Sequence, residues 1–214
     1  MPRRTFSRLP AERREQILET AGKEFATHGY DGASLNHILQ AAGVSKGAAY
    51  YYFDDKADLY LSVVQHYWDR VLGSAIPELD KLTAASFWDE LAAVYRATFA
   101  CCIERPWILE LARSVWKLSP RARSAGPLAS IFELMREWFR VVLEKGRSLG
   151  VIRVDLPDDL VLAVMMALDE GIGSWLLAHW AELENPPEEA LRIHLQTLEM
   201  MRRMLQPGSS NASQ

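Results

Sequence analysis

The apolar residues of this chain recur at the spacing of an α-helix. In residues 10–28 the apolar positions Ile17, Leu18, Ala21 and Phe25 share one helical face, and Gly29 follows them. Such a face indicates an amphipathic helix, and a glycine after its last residue is a stop signal. The same pattern predicts helices over residues 34–42, 45–53, 56–72, 86–104, 107–118, 128–149, 158–182 and 188–205. No segment of convincing length alternates as a strand does, so the pattern predicts an all-α protein.

Two of the predicted helices, 34–42 and 45–53, are short and are joined by a turn that contains Gly43. This arrangement is a helix-turn-helix, in which the second helix enters the major groove of DNA. Ser34 and Ser45 stand at the beginnings of the two helices, where serine is suited to cap the N-terminus. The chain is therefore predicted to begin with a three-helix, DNA-binding helix-turn-helix domain.

The N-terminal end of the second helix carries residues that suit a DNA surface. Small residues there, such as Ala48, let the helix approach closely, and an alanine methyl can contact a thymine methyl. Tyrosine hydroxyls donate hydrogen bonds to phosphate. Because Tyr50 and Tyr51 point about 100° apart on a helix, we expect them to have different roles. Lys56, after the capping residue Asp55, can bind the DNA backbone from the flank. The predicted DNA contacts are Ser34, Ser45, Lys46, Gly47, Ala48, Tyr50, Tyr51 and Lys56, together with Arg3 and Arg4.

A buried aromatic cluster is the other interpretation of the tyrosine-rich segment. We assign Tyr52 and Phe53 to the core, because a unit this small needs aromatic side chains inside it. The remaining core of this unit is predicted to comprise Phe25, Tyr30, Leu35, Ile38 and Val44.

The charge of the chain is uneven. The formal net charge is -4 and the pI is about 5.8, which argues against a uniformly basic nucleic-acid binder. Residues 1–14, however, contain five arginines against the single acid Glu12. A basic arm on an acidic body can still attract DNA or an anionic membrane surface.

Residues 12–60 resemble the DNA-binding domain of the tetracycline-repressor (TetR) family of bacterial regulators. The resemblance is carried by Ser34, by the segment AGVSKGAAYYYF that begins at Ala42, and by Lys56. The sequence departs from the family pattern at Ala48 and Ala49, where a threonine or larger residue and a leucine are frequent. It departs again at Tyr51, where histidine is frequent. The operator sequence is therefore hard to infer, whereas a phosphate donor is retained at Tyr51.

The resemblance implies a C-terminal domain that binds a small effector and forms a homodimer through its last two helices. The sequence has an apolar stripe in residues 188–205 that suits helix packing. Glycine inside a helix costs about 1 kcal/mol relative to alanine, and close approach of another helix would compensate for Gly171 and Gly173. The alternative is that these features only build the core of one protomer. The predicted interface residues are Leu191, Leu195, Leu198, Met201, Leu205 and Gly171.

Aromatic and methionine residues are concentrated in residues 87–180, which hold six of the seven tryptophans. Large aromatics pack imperfectly among short helices, methionine adapts to irregular shapes, and a cavity between helices is a common ligand site. We expect an apolar or amphipathic effector, aromatic or acyl; an ordinary aromatic core without a cavity is the alternative. The predicted pocket residues are Trp88, Tyr95, Phe99, Trp107, Leu111, Phe132, Met135, Trp138, Phe139, Met165 and Asp169.

Polar groups in this region leave several interpretations open. Glu110, Glu133 or Asp169 could orient one polar group of the effector. Asp169 interrupts an apolar helix, and three environments are consistent with it: a ligand contact, an interhelical hydrogen bond or a solvated edge.

Catalytic and metal-binding patterns are absent from the sequence. The five histidines are scattered without ligand spacing, and no phosphate-binding loop or nucleophile motif occurs. Cys101 and Cys102 are adjacent, and we expect them to be buried apolar residues rather than oxidant sensors. We expect no enzyme activity, no cofactor and no metal.

The longest apolar stretch, residues 160–168, is too short to span a bilayer, and Met1 is followed by charged residues rather than by an apolar run. These features and the cysteine usage favour a cytoplasmic protein without a membrane partner.

Four segments follow from these predictions: a basic arm over residues 1–9, a DNA-binding domain over 10–55, an effector-binding and dimerisation domain over 56–205 that includes the linking helix, and a disordered tail over 206–214. We expect a ligand-responsive transcriptional regulator, chiefly a repressor, released from a palindromic operator by its effector. The alternative is a helical ligand-binding protein or enzyme that no longer binds DNA. The sequence does not distinguish an activator from a repressor.

Overall fold

The structure is a computed structural model that describes residues 4–45, 51–72, 81–124 and 127–208. These parts of the chain are helical and contain no strand, so the prediction of an all-α fold is confirmed. The helices are α1 (Arg4–Ser7), α2 (Ala11–Gly32), α3 (Leu35–Ala41), α4 (Lys56–Leu72), α5 (Phe87–Glu104), α6 (Pro106–Trp116), α7 (Pro120–Ser124), α8 (Ala129–Ser148), α9 (Asp158–His179) and α10 (Pro186–Leu205). A 3₁₀ turn, Trp180–Glu182, follows α9.

The chain forms two compact units. The first comprises Met1–Val71 and Cys101–Glu133, and the second comprises Leu72–Ala100 and Leu134–Gln214. The first unit is larger than the predicted DNA-binding domain, because α4, α6 and α7 pack with its helices. The predicted boundary after residue 55 separates a DNA-binding role from an effector-binding and dimerisation role, and it stays a prediction.

The core of the first unit is built from fully buried side chains of α2, α3 and α4. Phe25 and Tyr60 meet edge to face with ring centroids 4.8 Å apart, and Ile17, Ile38 and Leu59 are closed from solvent. Such aromatic pairs stabilise a core beyond their area alone. The predicted core residues Phe25, Ile38, Val44 and Phe53 are buried, and Tyr30, Leu35 and Tyr52 pack against them.

Helix α6 packs closely on α2 within the same unit. The indole of Trp107 lies over Gly22, and a Cβ on that glycine would lie 2.4 Å from the indole Cζ3. The ring of Trp107 also meets the ring of Tyr67 edge to face, with centroids 4.7 Å apart and an interplanar angle of 88°. Glycine is therefore needed at this point of α2 so that the two helices can meet.

The core of the second unit lies among α5, α8, α9 and α10. Phe87, Leu143, Ile152, Val161 and Met165 are fully buried in it. The backbone amide of Arg153 donates to the carbonyl oxygen of Leu205 at 2.7 Å, which joins the loop after α8 to the end of α10.

Several helix boundaries differ from the predicted ones. Helix α9 ends at His179 rather than at residue 182, since the chain tightens into the 3₁₀ turn. The short helices α1 and α7 were not predicted, because four or five residues carry too little periodicity to indicate a helix. Within the described residues, no helix is both long and apolar enough to cross a membrane.

Candidate nucleic-acid interface and ligand site

Local hydrogen bonds define the first half of the helix-turn-helix. The hydroxyl oxygen of Ser34 accepts a hydrogen bond from the amide of His37 at 3.3 Å, so Ser34 caps α3 as predicted. Gly43 adopts φ +62°, the left-handed region that favours glycine after a helix. Ile38, Leu39 and their neighbours bury the inner face of α3. The turn thus directs the chain from α3 into the segment of the second helix.

Most of the predicted base-contacting residues lie outside the described residues. These are Lys46, Gly47, Ala48 and Tyr50, as well as Arg3 of the arm. Ser45 is exposed at the end of the turn. Tyr51 is helical and 66% exposed, whereas Tyr52 is half-buried and Phe53 is buried. This division places Tyr51 on the outer surface and its two successors in the core, as the aromatic pattern predicts.

The N-terminal arm is attached to the helix-turn-helix by an aromatic contact that was not predicted. Phe6 of α1 is buried, and its ring centroid lies 4.8 Å from that of Phe53 and 6.0 Å from that of Tyr52. The hydroxyl of Thr5 donates to the carbonyl oxygen of Tyr51. Arg4 is exposed beside this contact. Arg4 of the arm therefore lies on a short helix whose Phe6 packs against Tyr52 and Phe53.

Two arginines from the basic N-terminal stretch stabilise the fold instead. A guanidinium nitrogen of Arg13 donates to the carbonyl oxygen of Gly43 at 2.9 Å, which holds the turn of the motif. Arg14 donates to the carbonyl oxygens of Ser7 and Leu9 at 3.0 and 2.8 Å, which closes the chain after α1. Charge counting alone could not distinguish these side chains from the arm, because the contact between Arg13 and Gly43 spans thirty residues.

Lys56 is engaged with the main chain at the end of α2. Its ammonium donates to the carbonyl oxygens of Asp31 and Ala33 at 3.1 and 3.2 Å, and it lies 4.8 Å from the centroid of the Tyr30 ring. Asp55 accepts a hydrogen bond from the amide of Asp58 at 2.8 Å and so caps α4, as predicted. Lys56 therefore has a role within the fold, and its predicted phosphate contact stays a prediction.

The predicted pocket residues belong to two units. Trp107, Leu111 and Phe132 lie in the first, where Trp107 packs on α2, Leu111 is buried, and the ring of Phe132 faces Trp116 at 6.3 Å. The second unit contains Trp88, Tyr95, Phe99, Met135, Trp138, Phe139, Met165 and Asp169. We therefore place the candidate ligand site in the second unit, where most of the set lies together.

A polar cluster lies among the aromatic residues of the second unit. The imidazole of His194 on α10 lies 5.4 Å from the Tyr95 ring and 5.1 Å from the Phe99 ring, centroid to centroid. Its Nδ1 lies 2.7 Å from the carbonyl oxygen of Ala190, so Nδ1 carries a proton and donates it to that carbonyl. Burial lowers the pKa of His194, although that hydrogen bond raises it. The ring is therefore neutral at pH 7, with Nε2 as an acceptor.

Asp169 lies on α9 of the same unit. Burial raises the pKa of its carboxyl to about 6, and the charge of Glu170 adds to the shift. Burial also raises the pKa of Tyr95, and the charge of Asp169 contributes to that shift. Both side chains are half-buried rather than packed solid. The Asp169 and Tyr95 side chains are thus partly covered by protein atoms and partly accessible to solvent.

The other candidate polar groups are accounted for differently. The guanidinium of Arg113 donates to both oxygens of Glu110 at 2.7 and 2.8 Å, and Glu133 is exposed. Cys102 is buried in the first unit, and burial raises the pKa of its thiol to about 12. A neutral buried thiol is a poor nucleophile, which agrees with the predicted packing role of the cysteine. The described residues contain no group of His, Cys, Asp and Glu that could hold a metal.

The predicted dimer stripe divides between two faces of α10. Leu198, Met201 and Leu205 are buried in the core of their own unit, so they are not available to a partner. This corrects the prediction, because helical spacing alone cannot tell an inner face from an outer one. Leu191 and Leu195 remain half-exposed.

The outer face of α10 forms a surface groove of about 540 Å³. It is lined by Leu191, Leu195 and Met200 and by charged residues of both signs: Glu188, Glu199, Arg192 and Arg203. On α9, Gly171 has no described atom within 4 Å of a Cβ built on it, and Trp175 is 45% exposed. Apolar groups with a charged rim on the last two long helices are typical of a subunit interface.

Comparison with known proteins finds a family match for the helix-turn-helix segment. Residues 17–63 match the family model of bacterial regulatory proteins of the tetR family. A helix-turn-helix transcriptional repressor of Mycobacterium tuberculosis, Rv1474c, is 27% identical over 203 residues, which are 91% of this chain and 96% of the relative. The transcriptional activator FasR of Mycolicibacterium smegmatis is 41% identical over 70 residues, 32% of each chain.

Solved structures share the fold. The transcriptional regulator FadR from Bacillus subtilis, solved in complex with stearoyl-CoA, superimposes with a TM-score of 0.68. It is 18% identical, and the superposition covers 87% of this chain and 96% of that one. The family match, the relatives named as transcriptional regulators and the shared fold agree on one point: residues 17–63 carry the DNA-binding segment of the tetR family of bacterial regulatory proteins, and the chain is similar over most of its length to a regulator with such a segment.

Proposed function

We propose that this protein is a ligand-responsive repressor that binds a palindromic operator as a homodimer and is released by an apolar or amphipathic effector. The observation that carries the DNA-binding part is the helix-turn-helix: α3 capped by Ser34, the Gly43 turn, and exposed Tyr51 beyond it. The family match over residues 17–63 covers the same segment.

Repression is favoured over activation by a relative whose alignment covers 91% of this chain. That relative spans almost the whole chain and is named a repressor, whereas the activator FasR aligns over 70 residues only. A repressor acts by occupying its operator, which needs no further surface. Reporter expression from the target promoter, with and without the intact gene, tests the direction: expression rises on deletion for a repressor and falls for an activator.

The dimer is proposed to form through α9 and α10. Leu191, Leu195 and Met200 offer apolar area, and the charged rim can pair with the same rim of a second copy by two-fold symmetry. The exposed indole of Trp175 and the open space at Gly171 lie on the neighbouring helix. A dimer with two recognition helices requires inverted half-sites about one helical turn apart, or a multiple of it.

The effector is proposed to bind in the second unit, among Trp88, Tyr95, Trp138 and the apolar residues around them. A ligand releases DNA only if it binds the DNA-incompetent arrangement more tightly. Helices α5 and α8 each contain residues of both units, so they provide a continuous path for such a change. Stearoyl-CoA bound to the Bacillus subtilis regulator supports an acyl ligand as one candidate.

The experiment that tests this function is a footprint on the DNA upstream of the gene and of its neighbours. We expect a protected site with inverted symmetry and binding that weakens steeply with salt. Apolar and amphipathic compounds are then screened for operator release and for a change in tryptophan fluorescence. Protection without inverted symmetry contradicts the dimer model, and turnover of a compound without DNA binding favours a ligand-binding enzyme instead.

A further inference from the structure

The short helix α1 is attached to the helix-turn-helix by one aromatic side chain. Phe6 is 4% exposed, and its ring centroid lies 6.0 Å from that of Tyr52 and 4.8 Å from that of Phe53. A helix of four residues is too short to be stable by its own hydrogen bonds, so it depends on the apolar area that it buries. Phe6 supplies that area, since the other three residues of α1 are exposed.

The chain between α1 and α2 is closed by hydrogen bonds. The guanidinium of Arg14 on α2 donates to the carbonyl oxygens of Ser7 and Leu9 at 3.0 and 2.8 Å. The amide of Leu9 donates to the carbonyl oxygen of Phe6 at 3.0 Å. The connection is therefore short and bound to α2, while the Phe6 ring is bound to the motif. These two attachments give α1 a defined position beside the helix-turn-helix.

The docked helix places a basic residue next to an exposed side chain of the motif. The hydroxyl of Thr5 donates to the carbonyl oxygen of Tyr51, and the Tyr51 side chain is 66% exposed. Arg4 is exposed and directly precedes Thr5, so its long side chain begins one residue away from that contact. Arginine and tyrosine both donate hydrogen bonds to phosphate oxygens. One DNA strand can therefore engage Arg4 and Tyr51 together.

We propose that Phe6 is a positioning residue for DNA binding: it docks α1 on the end of the second helix of the motif and holds Arg4 beside Tyr51 as a contact to the DNA backbone. A side chain whose main chain is already in place loses less conformational freedom when DNA binds, and this strengthens binding. The inference rests on the proposed function, since it takes the helix-turn-helix as the DNA-binding part.

A free basic tail is the competing arrangement. Long-range attraction between arginines and DNA needs no defined structure, because it depends on charge alone. In a free tail, Arg4 would contribute the same binding energy with or without the Phe6 ring. Docking makes the two residues interdependent, and a double-mutant cycle measures such interdependence.

The test measures the operator affinity of the full-length protein at a series of salt concentrations. The DNA is a duplex that carries the footprinted site, and a duplex of the same length with a scrambled sequence reports non-specific binding. Loss of one phosphate contact reduces the slope of log affinity against log salt by about one unit per protomer. We expect this reduction for Arg4→Gln and for Phe6→Ala, and no further reduction for the double variant. The operator affinity of Phe6→Ala should fall at least about fivefold at physiological salt.

Further variants separate positioning from loss of stability. Phe6→Leu keeps an apolar side chain at the same place and should retain the wild-type slope and most of the affinity. Val115→Ala truncates a side chain in the buried core of the same unit, on α6, and should lower the stability to urea with an unchanged slope. Urea unfolding of each variant checks that it is folded under the assay conditions, and Phe6→Val replaces Phe6→Ala in the cycle if the latter does not fold.

The outcomes separate this inference from the proposed function. Additive effects of Arg4→Gln and Phe6→Ala on the slope, or a wild-type slope for Phe6→Ala, would indicate a free tail and overturn the positioning role. An unchanged slope for Arg4→Gln would place α1 away from the DNA and overturn the inference as well. In these cases the wild-type protein still binds its operator, so the proposed function stands. A wild-type protein that binds neither duplex, or binds both equally well, contradicts the proposed function and the inference together.

Discussion

The indole of Trp107 lies so close to Gly22 that a Cβ at that glycine would come within 2.4 Å of the ring. The contact joins α6 to α2, the first long helix of the first unit. Because Tyr67 packs on the indole at 88°, the ring cannot easily move away. Glycine at this position therefore allows two helices of the first unit to pack at short distance.

Gly22→Ala should destabilise the protein despite the better helix propensity of alanine. The gain in propensity is about 1 kcal/mol, and overpacking against a held ring costs about 1–3 kcal/mol. We expect a net loss of about 1 kcal/mol in the free energy of unfolding, measured in urea. Gly32→Ala is the matched control, since its Cβ would meet only His28 Cβ at 3.5 Å. An increase in stability for Gly22→Ala would show that Trp107 relaxes freely.

Lys56→Ala should reduce stability and also weaken DNA binding. The substitution removes two hydrogen bonds from the ammonium to the end of α2 and the contact with Tyr30, so we expect a loss of about 1–2 kcal/mol. The predicted phosphate contact adds a fall of about one unit in the salt slope of operator binding. Lys23→Ala removes the same charge from an exposed position of α2 and should change neither quantity much. An unchanged salt slope for Lys56→Ala would assign this lysine to the fold alone.

Leu195→Glu should convert the proposed dimer into monomers. The side chain lines the outer groove of α10, and a charge there would be buried against the partner without a compensating group. Sedimentation equilibrium is the measurement, and operator affinity should fall with the loss of the second recognition helix. The control Val154→Glu lies in the loop after α8, where Val154 is 74% exposed. A variant Leu195→Glu that remains dimeric would place the interface elsewhere.

Asp169 should make the free energy of unfolding fall as the pH rises. A carboxylate paired with a cation has the opposite effect. Its pKa in the folded protein is about 6, against 3.8 as the reference value for the unfolded chain. The folded state therefore binds the proton more tightly than the unfolded chain does. The resulting contribution of Asp169 to stability is complete below about pH 4 and is lost as the pH rises through 6. The free energy of unfolding of Asp169→Asn, taken relative to wild type, should therefore increase by about 1–2 kcal/mol when the pH is raised from 5 to 8. Urea unfolding at the two pH values is the measurement, with Glu182→Gln as the control; an equal difference at both would contradict the raised pKa.

Much of the fold could be predicted from local sequence. Periodicity located the long helices to within a few residues, and short-range chemistry identified the caps at Ser34 and Asp55 and the glycine breaks at Gly29 and Gly43. These features depend on neighbours three or four residues away. The sequence by itself therefore determined the helical class and the helix-turn-helix, together with the resemblance of that segment to the tetR family.

Only the tertiary structure decided which side chains meet across the chain. Leu198 and Leu195 belong to one apolar stripe, yet one is buried in its own core and the other lines an open groove. Likewise Arg13 reaches Gly43 and Lys56 reaches Asp31, so these two basic side chains have partners within the fold that their charge alone does not reveal. Such partners depend on how the helices cross, which is set by packing over the whole unit. The ring contact between Tyr95 and His194 arises in the same way, because the two residues lie on different helices and are far apart in sequence.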